Sequence, residues 1–239
     1  MSTVIKRRRN SIDFIKDDEG HWICGRDNIG KCFEQFYKSL FSSSHPSIPN
    51  DLDDLISPCL SDDDREMLVT IPSPKEIREV LFSMGSNKAP GPDGMSTLFN
   101  KFYWNIIGGE VVEAVSSFFI KGFMLRELNH SFIVLKSKNS NTTTVQQYRP
   151  ISLGNVLYKI ISKLLANRLK RVLDKIVSPW QTAFVPERTI QENTFIAQEI
   201  MYEMRKKKGK SPWMGLKIDM EKAYDRFEWE FLHKVMKCF

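Results

Sequence analysis

The sequence predicts an α+β fold in which a helix-rich N-terminal part gives way to strands mixed with helices. Three observations predict it. Apolar residues recur at helical spacing in four runs before Lys121. From Ser131 the period shortens to that of strands, in Ser131–Leu135 and Tyr148–Leu153. A further strand-like run, Trp213–Asp219, follows later with few upstream runs to pair with, so its sheet reads as unfinished.

Taken in order, residues 1–45 open with the basic Lys6-Arg7-Arg8-Arg9, turn at Asp17-Asp18-Glu19-Gly20, and enter a helix-like run from Ile29 to Phe41. Phe33, Phe36, Tyr37, Leu40 and Phe41 carry its apolar face. Ser42–Asn50 is a Ser/Pro-rich break, and the acidic stretch Asp51–Glu66 reads as a solvated connector. Ser73 is placed to cap a helix with Pro74 in its first position and Glu76 completing a capping box. Ile77, Val80, Leu81 and Met84 form the stripe of that helix, and Gly85 stops it. Two more helices are expected over Leu98–Ile107 and Glu110–Lys121, separated by Gly108-Gly109. The strand Ser131–Leu135 is followed by a polar loop, Lys136–Gln147, and by the extended Tyr148–Leu153 around Pro150. Asn155 is placed to cap a long helix with Leu157, Ile160, Ile161, Leu164, Leu165, Val172, Leu173 and Ile176 inward. Its other face carries Lys159, Lys163, Arg168, Lys170, Arg171 and Lys175, and Ser178-Pro179 ends it. Helices are expected again over Thr189–Lys208 and Glu228–Phe239, on either side of the strand Trp213–Asp219.

The bulk numbers narrow the function. No stretch reaches the roughly 20 apolar residues of a membrane span, and no apolar run follows the basic start as in a secretory signal. Cys24, Cys32, Cys59 and Cys238 are scattered, which reads as reduced thiols of a nuclear or cytoplasmic protein. Charge is uneven. Residues 1–120 carry 13 Lys and Arg against 18 Asp and Glu, a net −5, whereas residues 121–239 carry 22 against 11, a net +11. A half so basic suits a polyanionic partner, most simply nucleic acid.

Asp219, at the C-terminal end of an apolar run, is where a carboxylate could meet a metal ion, although an aspartate there also caps helices. The surrounding string, Lys217-Ile218-Asp219-Met220-Glu221-Lys222-Ala223-Tyr224-Asp225, resembles the first catalytic motif of reverse transcriptases of non-LTR (LINE-type) retrotransposons. Other blocks resemble that family in the same order: Lys88-Ala89-Pro90-Gly91-Pro92-Asp93-Gly94, Tyr148-Arg149-Pro150-Ile151-Ser152-Leu153, Asn155 to Leu169, and Gln181-Thr182-Ala183-Phe184-Val185-Pro186-Glu187-Arg188. Residues 1–72 resemble the linker ahead of the polymerase, and 73–239 a partial reverse transcriptase domain holding the fingers and first palm strand.

The resemblance implies an RNA-directed DNA polymerase of the right-hand fold that acts on an RNA template and a DNA primer with Mg²⁺. It implies Asp219 as a catalytic Mg²⁺ ligand and Tyr224 as the aromatic gate beneath the incoming sugar. Arg149 and Asp225 are implied at the nucleotide, and Gln181 and Arg188 at the template. Some positions depart from the family: Glu187 stands where it usually has glycine, Glu192-Asn193 replaces an Asp-Asn pair, and Leu135-Lys136-Ser137-Lys138 stands where it prefers I-P-K-K. The family's aromatic-x-Asp-Asp motif, its second source of metal ligands, does not occur in the 239 residues. The expectation is a polymerase fragment that is inactive alone; a non-catalytic nucleic-acid-binding remnant is the alternative.

Overall fold

The structure, a computed structural model, describes residues 11–49, 52–207, 213–220 and 222–239. In chain order its elements are β1 (Phe14–Lys16), β2 (Trp22–Cys24), α1 (Arg26–Leu40), α2 (Leu52–Leu55), α3 (Asp62–Val69), α4 (Pro74–Ser83), α5 (Thr97–Phe102), α6 (Trp104–Lys121), α7 (Arg126–Asn129) and β3 (Ser131–Ser137). A 3-10 turn (Val145–Gln147), β4 (Tyr148–Gly154), α8 (Val156–Leu169), α9 (Leu173–Ile176), α10 (Ile190–Lys206) and α11 (Trp229–Cys238) follow. The fold is helix-rich α+β with two antiparallel strand pairs, β1 with β2 and β3 with β4. The chain divides into two compact units: the described residues up to Pro46 with Ile71–Ser162, and Ser47–Thr70 with Lys163–Phe239.

In the first unit the N-terminal segment is part of the core. Ile29, Phe33 and Tyr37 recur every fourth residue of α1 and bury with Ile15, Val145 and Tyr148. The Phe33 ring stands edge-on to Tyr148 at 5.1 Å, and the Lys16 amide donates to the Thr143 carbonyl at 2.7 Å. The helix α4 forms as its sequence dictates: Ser73 Oγ accepts from the Glu76 amide at 3.1 Å, and Ile77, Val80 and Leu81 are buried.

The helix break expected at Gly108-Gly109 falls instead at Tyr103, which separates α5 from α6. Gly108 sits inside α6, where a Cβ would come within 2.9 Å of the Trp104 indole. Glycine is there to make room for that ring, and the helix runs through it. Asn155 stands directly before α8, at the cap position expected of it, and its carbonyl accepts from the Lys159 amide at 3.1 Å. It is buried, its Oδ1 accepts from the Asp93 amide at 3.2 Å, and its Nδ2 donates to the carbonyls of Glu127 and Leu128 at 3.2 and 3.3 Å. The side chain expected to cap a helix thus ties the Lys88–Gly94 turn and α7 to the end of β4. Gly91 lies so close to Asn155 that any Cβ would overlap it.

In the second unit the acidic stretch expected to be a solvated connector contains α2 and α3. Ser61 and Asp64 form a reciprocal capping box at the start of α3. The Asp64 carboxylate also receives the Lys175 ammonium at 2.5 Å. The long helix expected to reach Ile176 ends at Leu169. Its last turn tightens, with the Arg171 and Val172 amides donating to Arg168 and Leu169 carbonyls at 3.0 Å, before the short α9. Arg168, expected on the basic face of that helix, is buried and donates to the backbone carbonyls of Leu68 and Thr70.

The strand expected over Trp213–Asp219 is not formed. Residues 213–220 have no regular secondary structure, and Leu216 and Ile218 are 78% and 80% exposed. A strand is defined by its ladder, and among the described residues nothing pairs with this segment.

Candidate functional site

The β3–β4 hairpin carries the first group of predicted residues. Its register sets Leu135 opposite Pro150, Lys136 opposite Arg149 and Ser137 opposite Tyr148. Alternation sends Tyr148 into the core against Phe33 and leaves Arg149 exposed on the other face. Burial pushes the Tyr148 phenol above its ordinary range. Lys136 shares the face of Arg149, and Lys138 extends the ladder through its amide to the Gln147 carbonyl at 2.9 Å. Like charges directly opposite one another on a sheet repel. Lys136 and Arg149 are both exposed on this face.

The second group lies in the other unit. The block Gln181–Arg188 is a loop between α9 and α10 with two residues in the left-handed region, Phe184 at φ 65° and Glu187 at φ 64°. Such conformations persist only where surrounding bonds over-determine them. Arg188 supplies those bonds. Its Nη1 donates to the carbonyls of Ser178 at 2.6 Å and Gln181 at 2.8 Å, and its Nη2 meets the Asp174 carboxylate at 2.9 Å. Asn193 of α10 adds a second brace, its Nδ2 donating to the Trp180 carbonyl at 2.7 Å and to Thr182 Oγ1 at 3.3 Å. Thr182 and Val185 are buried beneath the loop, and the Phe184 ring is held outward at 82% exposure. The Gln181 side chain accepts from the Ala183 amide at 3.3 Å.

The braces Asp174, Asn155 and Arg168 were not read as such from the sequence. A short polar residue or an arginine beside an apolar run signals a surface or a cap equally well, and their partners lie 14 to 100 residues away.

Asp219 is exposed on the irregular segment 213–220, and Asp225 closes a turn through its amide to the Lys222 carbonyl at 2.9 Å. Tyr224 stands edge-on to Phe184, with ring centroids 6.1 Å apart and planes at 83°. The structure thereby brings two predicted blocks together, Gln181–Arg188 and Lys217–Asp225. Arg149 belongs to the first unit.

Asp219 offers the hard oxygen donors that Mg²⁺ takes. Among the described residues no three His, Cys, Asp or Glu side chains gather to hold a metal ion. No helix among them is long and apolar enough to cross a membrane.

Residues 135–239 match the reverse transcriptase (RNA-dependent DNA polymerase) family. The matched reverse transcriptase segment contains Arg149, Gln181, Arg188, Asp219, Tyr224 and Asp225. The chain is also 28% identical over 236 residues to the "Transposon TX1 uncharacterized 149 kDa protein" of Xenopus laevis, covering 98% of this chain and 18% of that protein. It is 29% identical over 153 residues to the "Retrovirus-related Pol polyprotein from type-1 retrotransposable element R2" of Nasonia vitripennis, covering 64% of this chain and 14% of that protein. The chain thus spans less than a fifth of the length of these curated relatives. The likeness to the first of them extends over the Lys88–Gly94 turn and the N-terminal segment, which the reverse transcriptase match leaves out.

Proposed function

We propose that these residues are the fingers and first catalytic motif of a non-LTR retrotransposon reverse transcriptase, acting in the nucleus or cytoplasm on an RNA template and a DNA primer. The observation that supports the reading is the meeting of Phe184 and Tyr224, which joins the braced loop to the turn following the segment that bears Asp219. In this reading Tyr224 packs under the sugar of the incoming nucleotide and Gln181 lies along the template; Arg149, in the first unit, is a nucleotide contact by family resemblance. Arg188 acts on the template through the loop it braces, since its guanidinium is committed to Ser178, Gln181 and Asp174. Asp225 supports the turn beside Tyr224.

Reverse transcriptases use Mg²⁺, and Asp219 would be one of its ligands; the bound ion supplies charge neutralisation at the phosphates and activation of the primer hydroxyl. Carboxylates from two motifs are needed to hold two such ions, and the 239 residues carry one of them. A polypeptide of these residues alone is therefore a nucleic-acid binder without polymerase activity.

The experiment is primer extension on an RNA template, with Mg²⁺ or Mn²⁺, comparing a polypeptide of these 239 residues with its Asp219→Ala variant. Neither should extend the primer, while both bind it with an affinity that falls steeply with salt. Extension that depends on Asp219 would overturn the half-site reading, and binding insensitive to salt would overturn the nucleic-acid reading.

A further inference from the structure

We propose that the C-terminal end of α10, with Trp213, forms an additional contact surface for single-stranded nucleic acid. Tyr202 and Trp213 are large rings left 57% and 55% exposed. Each carries a cation: Lys206 Nζ lies 3.9 Å from the Tyr202 ring centre, and Lys207 Nζ lies 4.0 Å from that of Trp213. Tyr202 and Lys206 are four residues apart on one helical face, which fixes the first pair. The two lysines are neighbours in sequence, so the two ring-cation pairs are adjacent along the chain.

Charge says what such a surface takes. Positions 205–210 hold five Lys and Arg in six residues. A helix C-terminus is complemented by a cation or two in its last turn; a run of five repels itself and calls for a polyanion. The acidic neighbours do not neutralise it. Glu203 lies 3.7 Å from Lys206, but both side chains are more than half exposed, where such pairs contribute little. Glu199 stands one turn earlier on the same helix.

The alternation of exposed rings with cations fits a strand whose bases are free to stack and whose phosphates run alongside. Every base has a flat face, so recognition would tolerate sequence. A duplex hides those faces and offers phosphates only, so single strands should be preferred. An anionic membrane surface would use the same lysines but gives the rings no stacking partner. The surface requires neither Asp219 nor Arg149, so it holds or fails independently of the polymerase reading.

The test is fluorescence anisotropy of the full chain with a labelled oligo(dT) of about 16 nucleotides, long enough for a single-strand site, beside a duplex of equal length and phosphatidylserine vesicles. Two double variants are compared with the unsubstituted chain: Tyr202→Leu with Trp213→Leu, and Lys206→Gln with Lys207→Gln. All four side chains are exposed, and circular dichroism checks that the fold is kept. The aromatic variant should weaken single-strand binding about tenfold or more. The lysine variant should reduce the slope of log affinity against log salt by about 1.4, two phosphate contacts at about 0.7 each. Unchanged single-strand affinity in both variants, a preference for the duplex, or an effect confined to the vesicles would overturn the proposal.

Discussion

Arg168 and Thr70, 98 residues apart in sequence, are joined by a hydrogen bond from the guanidinium Nη1 to the backbone carbonyl. The same nitrogen reaches the Leu68 carbonyl at 3.3 Å, so Arg168 holds the end of α3 within the second unit. Lys163 on α8 and Arg171, just beyond the end of α8, are exposed.

Replacing Arg168 should therefore harm stability more than binding. Arg168→Ala removes the part-buried hydrogen bonds to the Leu68 and Thr70 carbonyls and the packing of a buried side chain, and urea unfolding should show a loss of about 1–2 kcal/mol. Lys163→Gln and Arg171→Gln should stay within about 0.5 kcal/mol, as surface changes do. Equal stability of all three variants would show that Arg168 is a surface cation after all.

Glu187 sits at φ 64° and is exposed, at the position where the resembling family has glycine. A side chain in the left-handed region costs about 1–2 kcal/mol, offset in part by the greater unfolded-state freedom of glycine. Glu187→Gly should raise stability by about 0.5–1 kcal/mol in urea unfolding, whereas Glu187→Ala, which keeps the Cβ, should give no such gain. A loss of stability in Glu187→Gly would mean that the carboxylate makes a stabilising contact that offsets the strain.

Asp64 ties pH to the second unit. The Lys175 ammonium, then the Ser61 hydroxyl and amide, hold its carboxyl down to about 2 from an ordinary 3.8. A carboxylate with a depressed pKa adds stability that is fully present above its unfolded value and is lost as pH falls through its folded value. The stability difference between the unsubstituted chain and Asp64→Asn should be constant above about pH 5 and vanish as the pH falls from about 4 toward 2. A difference that persists unchanged at the acid end would place its origin in the capping geometry and not in the charge.

Local signals were legible in the sequence where the cause was local. Ser73, Pro74 and Glu76 predicted the start of α4 because a cap needs only its own first turn. Ser131 and Tyr148 were placed at the starts of runs that became β3 and β4, and Arg149 emerged exposed because alternation follows from the backbone alone. What was missed depends on distant partners. Gly108 reads as a break until Trp104 is seen packing on it, and Asn155 reads only as a cap, without the bonds to Asp93, Glu127 and Leu128 that its side chain makes. Trp213–Asp219 has a strand's composition and no ladder, because pairing is not a property of the run itself. Arg188, expected at the template, has its guanidinium turned inward to the loop, which no local pattern announces.

Asp219 is the residue on which the functional reading turns. The direct measurement is RNA-templated DNA synthesis by a polypeptide that contains these residues together with an aromatic-x-Asp-Asp segment, with and without Asp219→Ala. If Asp219 is a ligand of the reacting metal ions, the substitution should lower the rate by about 10²–10³ or more, the scale for removing one element of electrostatic stabilisation, while primer-template binding stays the same. Synthesis that continues undiminished in Asp219→Ala would contradict the assignment.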